Sequence, residues 1–212
     1  MSVVSARAAP DRAVRRGDLI GRAGANLSSL GRMLATLDLF TEREPTRSID
    51  DLIATTGFKR ATLYRYVREL GKAGLLVKIT GTLYALGPRF IEIDRQIRVS
   101  DPLLKAGQPL VSELVAAAGE TVILCSLLRD SVVCIHQQRS ADAPRELDLD
   151  RGRTMPLFLS ASAKVILAFL PTPLLRRLFE NRKKEIGSAG LGRTWEGYKT
   201  VLRAIRRAGF AE

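Results

Sequence analysis

The sequence predicts an α+β protein of more than one domain, and three observations lead there. Between Ser48 and Leu86, two short helical patterns flank Gly57, and two strand-like runs follow about Thr80-Gly81. From Thr121 onward the pattern changes to β-rich runs mixed with helices. Between these regions, after Pro88, lies a helical stretch long enough to link two domains.

Taken in order, residues 1–25 are rich in Arg, Ala and Gly and read as a flexible basic tail, either a solubilising leader or an arm that touches DNA. Leu27, Leu30, Met33, Leu34, Leu37 and Phe40 recur at helical spacing, which predicts a helix over Asn26 to Phe40. Asn26 or Ser28 can cap it. Pro45 disfavours helix at Glu44. Ser48 is suited to cap the next helix, with Asp50 and Asp51 in its first turn and Ile49, Leu52 and Ile53 as its apolar stripe. Gly57 then stands where a left-handed residue is wanted.

The helix expected from about Lys59 to Lys72 buries Leu63, Tyr66 or Val67, and Leu70, and Gly74 ends it. Leu75 to Ile79 and Thr82 to Leu86 alternate as the strands of a hairpin. Helix, turn, helix and hairpin in this order form a winged helix-turn-helix, which places one helix in a DNA major groove.

Phe90, Ile93 and Ile97 mark the linking helix, and their apolar face suits a dimer seam or internal packing equally well. A further helix runs from Pro102 to about Ala118. TVILCSLL and SVVCIHQQ form an antiparallel hairpin about Arg129-Asp130, and LDLD (147–150) offers a doubtful third strand. Helices are expected near Ser160 to Phe169, Pro173 to Lys184 and Trp195 to Ala208, the last with a packing stripe through Trp195, Tyr198, Leu202 and Ile205.

Composition narrows the function. The chain has 212 residues, 46% hydrophobic and 26% charged, enough to bury one or two cores. Lys and Arg outnumber Asp and Glu by 34 to 22, a net charge of +12 that favours polyanionic partners. Two cysteines are too few for a disulfide scaffold and fit a reducing cytoplasm. No apolar run approaches the ~18 residues that would span a bilayer, so no membrane partner is expected.

On the second helix of the turn, Arg60, Thr62 and Arg65 lie off the core face and are candidates for base contacts. Lys59, Tyr64 and Arg68 suit phosphates, which fix register without reading sequence. Lys78 and Thr80 are placed to reach the DNA backbone or minor groove from the hairpin.

In the second half, Cys134 and His136 are expected on one strand face with Cys125 in the neighbouring run. The spacing lacks CxxC, HxxxH or paired histidines, so no metal is expected. Ser160, Ser162 and Lys164 invite a Ser–Lys reading, but Ala161 occupies the position three before Lys164 and no G-x-S-x-G occurs. Neither catalysis nor a cofactor is therefore expected. Ser160 or Ser162 caps a helix whose N-terminus can receive a carboxylate.

Several runs carry a resemblance. LGRMLATLDLF, IDDLIATTGFKRATLYRYVREL and LYALGPRFIEI stand in the first half. GETVILCSLLRDSVVCIHQQRS, RGRTMPLFLSASAKVILAFLP and LRAIRRAGFAE follow in the second. From about Leu30 to the end, this set in this order resembles the IclR family of bacterial transcription regulators. The resemblance implies a winged helix-turn-helix over 26–87, a linker helix over 88–101 and a GAF-like effector domain over 102–212, truncated relative to the family. It implies a homodimer, often assembled into a tetramer, that binds operator DNA and a small organic effector, a carboxylate or aromatic compound. Cys125, Cys134, His136, Met155, Phe158, Ser160, Ala161 and Ser162 are the effector-site candidates it suggests. Phe158 and Ala163 depart from the family, which more often has His and Gly there. The expected function is a cytoplasmic, effector-controlled, sequence-specific regulator; the alternative is a truncated regulator that binds DNA and dimerises without effector control.

Overall fold

A computed structural model describes residues 27–141, 143 and 149–212. The expectations for the basic tail and for Asn26 lie outside the described residues. The chain is a mixture of helix and sheet that divides into two compact units, meeting in sequence between Val99 and Ser100.

In the first unit, α1 (Ser29–Ala35) begins where Ser28 Oγ accepts from the Gly31 N–H at 3.1 Å. It is shorter than the expected helix. Thr36 Oγ1 donates back to the Arg32 carbonyl, and Thr36–Leu39 tightens into a 3₁₀ turn. That tightening buries Thr36 and Leu39. The chain then forms β1 (Thr46–Ser48), a strand the pattern did not predict because three residues carry no readable period.

Ser48 ends β1 and caps α2 (Ile49–Thr56) through a reciprocal box: Asp51 N–H donates to Ser48 Oγ, and Ser48 N–H donates to Asp51 Oδ2 at 2.8 Å. The Ser48 backbone N–H, with its hydroxyl, holds the Asp51 carboxyl below the usual carboxylate range. The resulting stabilisation is present above the ordinary Asp pKa and is lost as pH falls through the lowered value. Gly57 closes the helix at φ +69, its N–H on the Ile53 carbonyl, and turns the chain into α3 (Arg60–Lys72).

Leu63, Tyr66, Val67 and Leu70 of α3 are all buried, so both residues offered for the middle position are core. They pack with Leu39, Phe40, Leu52 and Leu76. The hairpin follows as β2 (Leu76–Lys78) and β3 (Leu83–Leu86), and the sheet order is β1-β3-β2. Its turn is centred one residue later than expected: Leu83 N–H bonds the Thr80 carbonyl, with Gly81 at φ +50. The linking helix, α4 (Arg89–Ser100), has no fully buried residue; Ile97 is exposed, Phe90 and Ile93 half-buried.

The second unit starts with α5 (Pro102–Ala118), capped by Asp101. A three-stranded antiparallel sheet follows, β4 (Val122–Leu128), β5 (Ser131–Gln138) and β6 (Thr154–Pro156), with β5 central. The third strand is thus Thr154–Pro156; of the LDLD run, the described Leu149 and Asp150 are not in a strand. Gly107 is where α5 meets β4, since a Cβ there would lie 2.6 Å from Leu124 Cδ2. On the other sheet face, Cys125, Leu127 and Met155 pack with α6 (Ala161–Ala168), α7 (Thr172–Ser188) and α8 (Trp195–Ala208).

The stripe on α8 is core, as expected. Tyr198 is fully buried, stacks on Phe179 at 5.7 Å and lies beside Trp195. Its hydroxyl has no hydrogen-bond partner, and burial pushes the phenol up to about 12 from 10.0.

Two measurements check this packing. Ser48→Ala is expected to lower unfolding free energy by about 1 kcal/mol in urea titration. Ultraviolet titration should find the Tyr198 phenol ionising at about 12 rather than 10.0. Because the folded pKa is the higher one, its stabilisation is complete below pH 10 and declines as pH rises toward 12.

Candidate nucleic-acid interface and candidate ligand site

The core stripe of α3 decides which of its side chains face outward. With Leu63, Tyr66, Val67 and Leu70 inward, Arg60, Tyr64, Arg65 and Arg68 are exposed and Thr62 is half-buried. Lys59 precedes the helix as its N-cap residue and supplies no side-chain cap, while its carbonyl accepts from the Thr62 N–H at 2.9 Å. Lys78 and Thr80 are exposed on the hairpin. A groove of about 860 Å³ runs between α3 and β2, with Tyr64, Arg65, Arg68 and Lys78 on its walls and Val67 and Leu76 in its floor.

The arginines differ in how they are held. Arg60 is ion-paired to Asp50 of α2, and that hydrogen bond raises its already high pKa. Arg68 bonds Glu69 at 3.2 Å. Arg65 has its guanidinium 5.7 Å from the Tyr66 ring centre and no ion pair among the described residues. Of the two arginines expected at bases, Arg65 is therefore the one with no carboxylate partner among the described residues. The sequence reading missed Asp50 as part of this face; it sits ten residues from Arg60, and only the packing of α2 on α3 brings the two together.

The second group of candidates does not gather as a whole. The register of β4 and β5 shifts between Leu124 and Cys125: Leu124 pairs with His136, whereas Cys125 pairs with Cys134. Adjacent residues of β4 point to opposite faces. His136 therefore lies on the face that Leu124 presents to α5, opposite Cys134, which corrects the expectation that the two share a face. Gln138, on the His136 side, accepts from Ser112 of α5 at 2.9 Å, in agreement with that assignment.

On the other face a smaller cluster does form. The Ser162 hydroxyl is near enough to the Cys125 thiol to oppose the rise of its pKa, and Ser160 Oγ lies 3.2 Å from Ser162 Oγ. Ser160 also caps α6, accepting from the Ala163 N–H at 3.2 Å. Met155 pairs with Val132 and so shares the sheet face of Cys125 and Cys134. Ala161 is exposed on the first turn. Phe158 is a core residue, 3% exposed, beneath the Arg182 guanidinium at 4.7 Å. Besides the Tyr198 hydroxyl, buried Thr121 Oγ1 and Gln137 Nε2 have no partner among the described residues, and no local motif marked them in the sequence.

Burial raises both thiol pKa values, with Ser162 opposing the shift at Cys125. Both thiols are free and protonated at neutral pH, a poor state for a nucleophile or a metal ligand. Among the described residues no group of three or more His, Cys, Asp or Glu gathers as a metal site, and no helix is long and apolar enough to cross a membrane.

Known proteins resemble this chain over both units. Residues 97–212 match the family model described as the bacterial transcriptional regulator IclR C-terminal. The transcriptional regulator KipR of Bacillus subtilis is 28% identical over 141 residues, covering 66% of this chain and 55% of its own length. The chain spans about half the length of the curated relatives it matches. An IclR regulator from Alicyclobacillus acidocaldarius superposes with a TM-score of 0.67 at 20% identity, over 87% of this chain and 75% of that one. An IclR homologue of Microbacterium hydrocarbonoxydans, complexed with 4-hydroxybenzoate, superposes at 0.63 with 19% identity, over 87% and 76% of the two chains.

Cysteine labelling checks the thiol assignment. At neutral pH the native chain should react with a maleimide at least about tenfold more slowly than the urea-unfolded chain, because little thiolate is present or accessible.

Proposed function

The chain belongs to the IclR family of bacterial transcriptional regulators, and on that premise we propose that it is a sequence-specific, DNA-binding regulator controlled by a small organic effector. The regulators named among its relatives, rather than any enzyme, set its class. In this reading the first unit is a winged helix-turn-helix over 26–87, with α3 as recognition helix and the β2–β3 hairpin as wing. The linker helix spans 88–101 and the GAF-like effector domain 102–212.

The observation that carries the proposal is the basic outward face of α3, set by burial of its opposite stripe. Arg65 and Arg60 read base edges, with Thr62 beside them; Arg60 does so after exchanging Asp50 for a base. Lys59, Tyr64 and Arg68 hold phosphates, helped by the Arg60 and Ala61 N–H groups at a helix start without a side-chain cap. Lys78 and Thr80 extend the contact from the wing. The +12 charge supplies the salt-dependent part of the affinity.

A homodimer places two such helices about one helical turn of DNA apart, so the operator is a near-palindrome. The effector is an organic carboxylate or aromatic acid, a class supported by the 4-hydroxybenzoate held by the Microbacterium homologue. Its proposed site is the Cys125, Ser160 and Ser162 cluster with Ala161, Cys134 and Met155 around it. There the N–H groups of the first turn of α6 favour an anion. Effector control requires different affinities for the DNA-competent and incompetent states. The protein works in the cytoplasm, where the nucleoid and the reducing poise suit its DNA partner and its free thiols.

In-vitro selection of random duplexes, sequenced at two salt concentrations, tests the proposal. An inverted repeat should be enriched, and Arg65→Ala should relax preference at one position of each half-site, costing about 1–3 kcal/mol per good base contact. Binding without enrichment that collapses as salt rises would reduce the reading to non-specific attraction.

A further inference from the structure

Away from the Cys125 and Ser162 cluster, the second unit contains a hollow of about 500 Å³ between the β4–β5 turn and α7. That volume falls within the range of about 300–1,000 Å³ typical of small-molecule sites. Its floor is apolar, formed by Leu127, Leu157, Leu174 and Leu178. Its rim is basic: Arg129 comes from the turn, Arg177 and Arg182 from α7, and Asp130 is the one carboxylate in the lining.

The rim arginines are unequal. Arg182 is occupied, donating to Glu185 at 2.7 Å and to the Asp130 carbonyl at 3.3 Å. Arg129 and Arg177 have no ion pair or hydrogen bond among the described residues. Two like charges with no ion pair among the described residues, at the mouth of an apolar hollow, suit a negatively charged guest.

The backbone is irregular at the same place. Arg129 is the one described non-glycine residue with a left-handed φ, +51. Arg182 leaves helical geometry inside α7, at φ −129 and ψ 29. A left-handed non-glycine residue such as Arg129 costs free energy, and such residues cluster at ligand sites. Here both irregularities bring an arginine to one rim.

We propose that this hollow is a second small-molecule site of the effector domain, and that it takes a monocarboxylate with an aryl or alkyl body. The carboxylate meets Arg129 and Arg177 at the rim, and the apolar body covers the leucine floor. Inorganic phosphate satisfies the rim alone, and a neutral aromatic satisfies the floor alone. The site goes beyond the regulator reading and does not use the Ser160–Ser162 end of α6.

Calorimetric titration of the full chain tests it, with benzoate, benzyl alcohol and inorganic phosphate as probes. Benzoate should bind, and the other two should bind at least about tenfold more weakly. Arg177→Ala should weaken benzoate about tenfold or more, as loss of a charge-assisted hydrogen bond does. Arg177→Lys should recover part of that. Arg129→Ala serves as the second variant should Arg177→Ala fail to melt as the native chain does. No benzoate binding, phosphate binding as tightly as benzoate, or a loss that follows Ser162→Ala instead of the arginine variants would each overturn the proposal. Duplex selection on the same preparations separates the two readings. A silent hollow with an enriched operator sinks only the hollow; benzoate binding without enrichment sinks only the operator.

Discussion

Burial of Leu63, Tyr66, Val67 and Leu70 on one side of α3 is the constraint on which the first unit turns. A helix has one register against its core, so fixing these four side chains fixes the outward direction of every other residue on it. The remaining elements hold that register. Gly57 sets the angle of entry, and Ser48 with Asp51 anchors the preceding helix. The three-stranded sheet carries Leu76 to the far end of the same core. The basic face of α3 is thus a consequence of apolar packing rather than of any attraction among its charges.

Those charges are arranged to remain partly available. Exposed ion pairs such as Arg60 with Asp50 and Arg68 with Glu69 contribute little to stability, because solvent already satisfies both partners. Their effect is on availability: a paired guanidinium must exchange its carboxylate for a phosphate or base, while Arg65 needs no such exchange. In the second unit the same logic separates Arg182, held by Glu185, from Arg129 and Arg177.

The second unit depends on an irregularity in β5. The register shift opposite Leu124 and Cys125 divides the central strand between two environments. Val132 and Cys134 face α6, whereas His136 and Gln138 face α5. A regular strand would have kept Cys134 and His136 together and given the Ser160–Ser162 cluster an imidazole neighbour. With the shift, that cluster has protonated thiols and hydroxyls only, suited to hydrogen bonding.

The sequence by itself determined the features whose causes are local. Helix periods, the caps at Ser28, Ser48 and Ser160, the left-handed Gly57 and the hairpin about Arg129-Asp130 each depend on residues a few positions apart. The outward set on α3 was legible for the same reason, since one period specifies both faces. Tertiary structure alone decided the rest. β1 exists because β3 offers an edge, not because Thr46–Ser48 has a strand period. The loss of His136 from the Cys134 face, the capture of Arg60 by Asp50 and the hollow at Arg129 and Arg177 all depend on partners distant in sequence. Pairwise packing between distant segments leaves no period in the chain, and so it becomes visible only when the chain is folded.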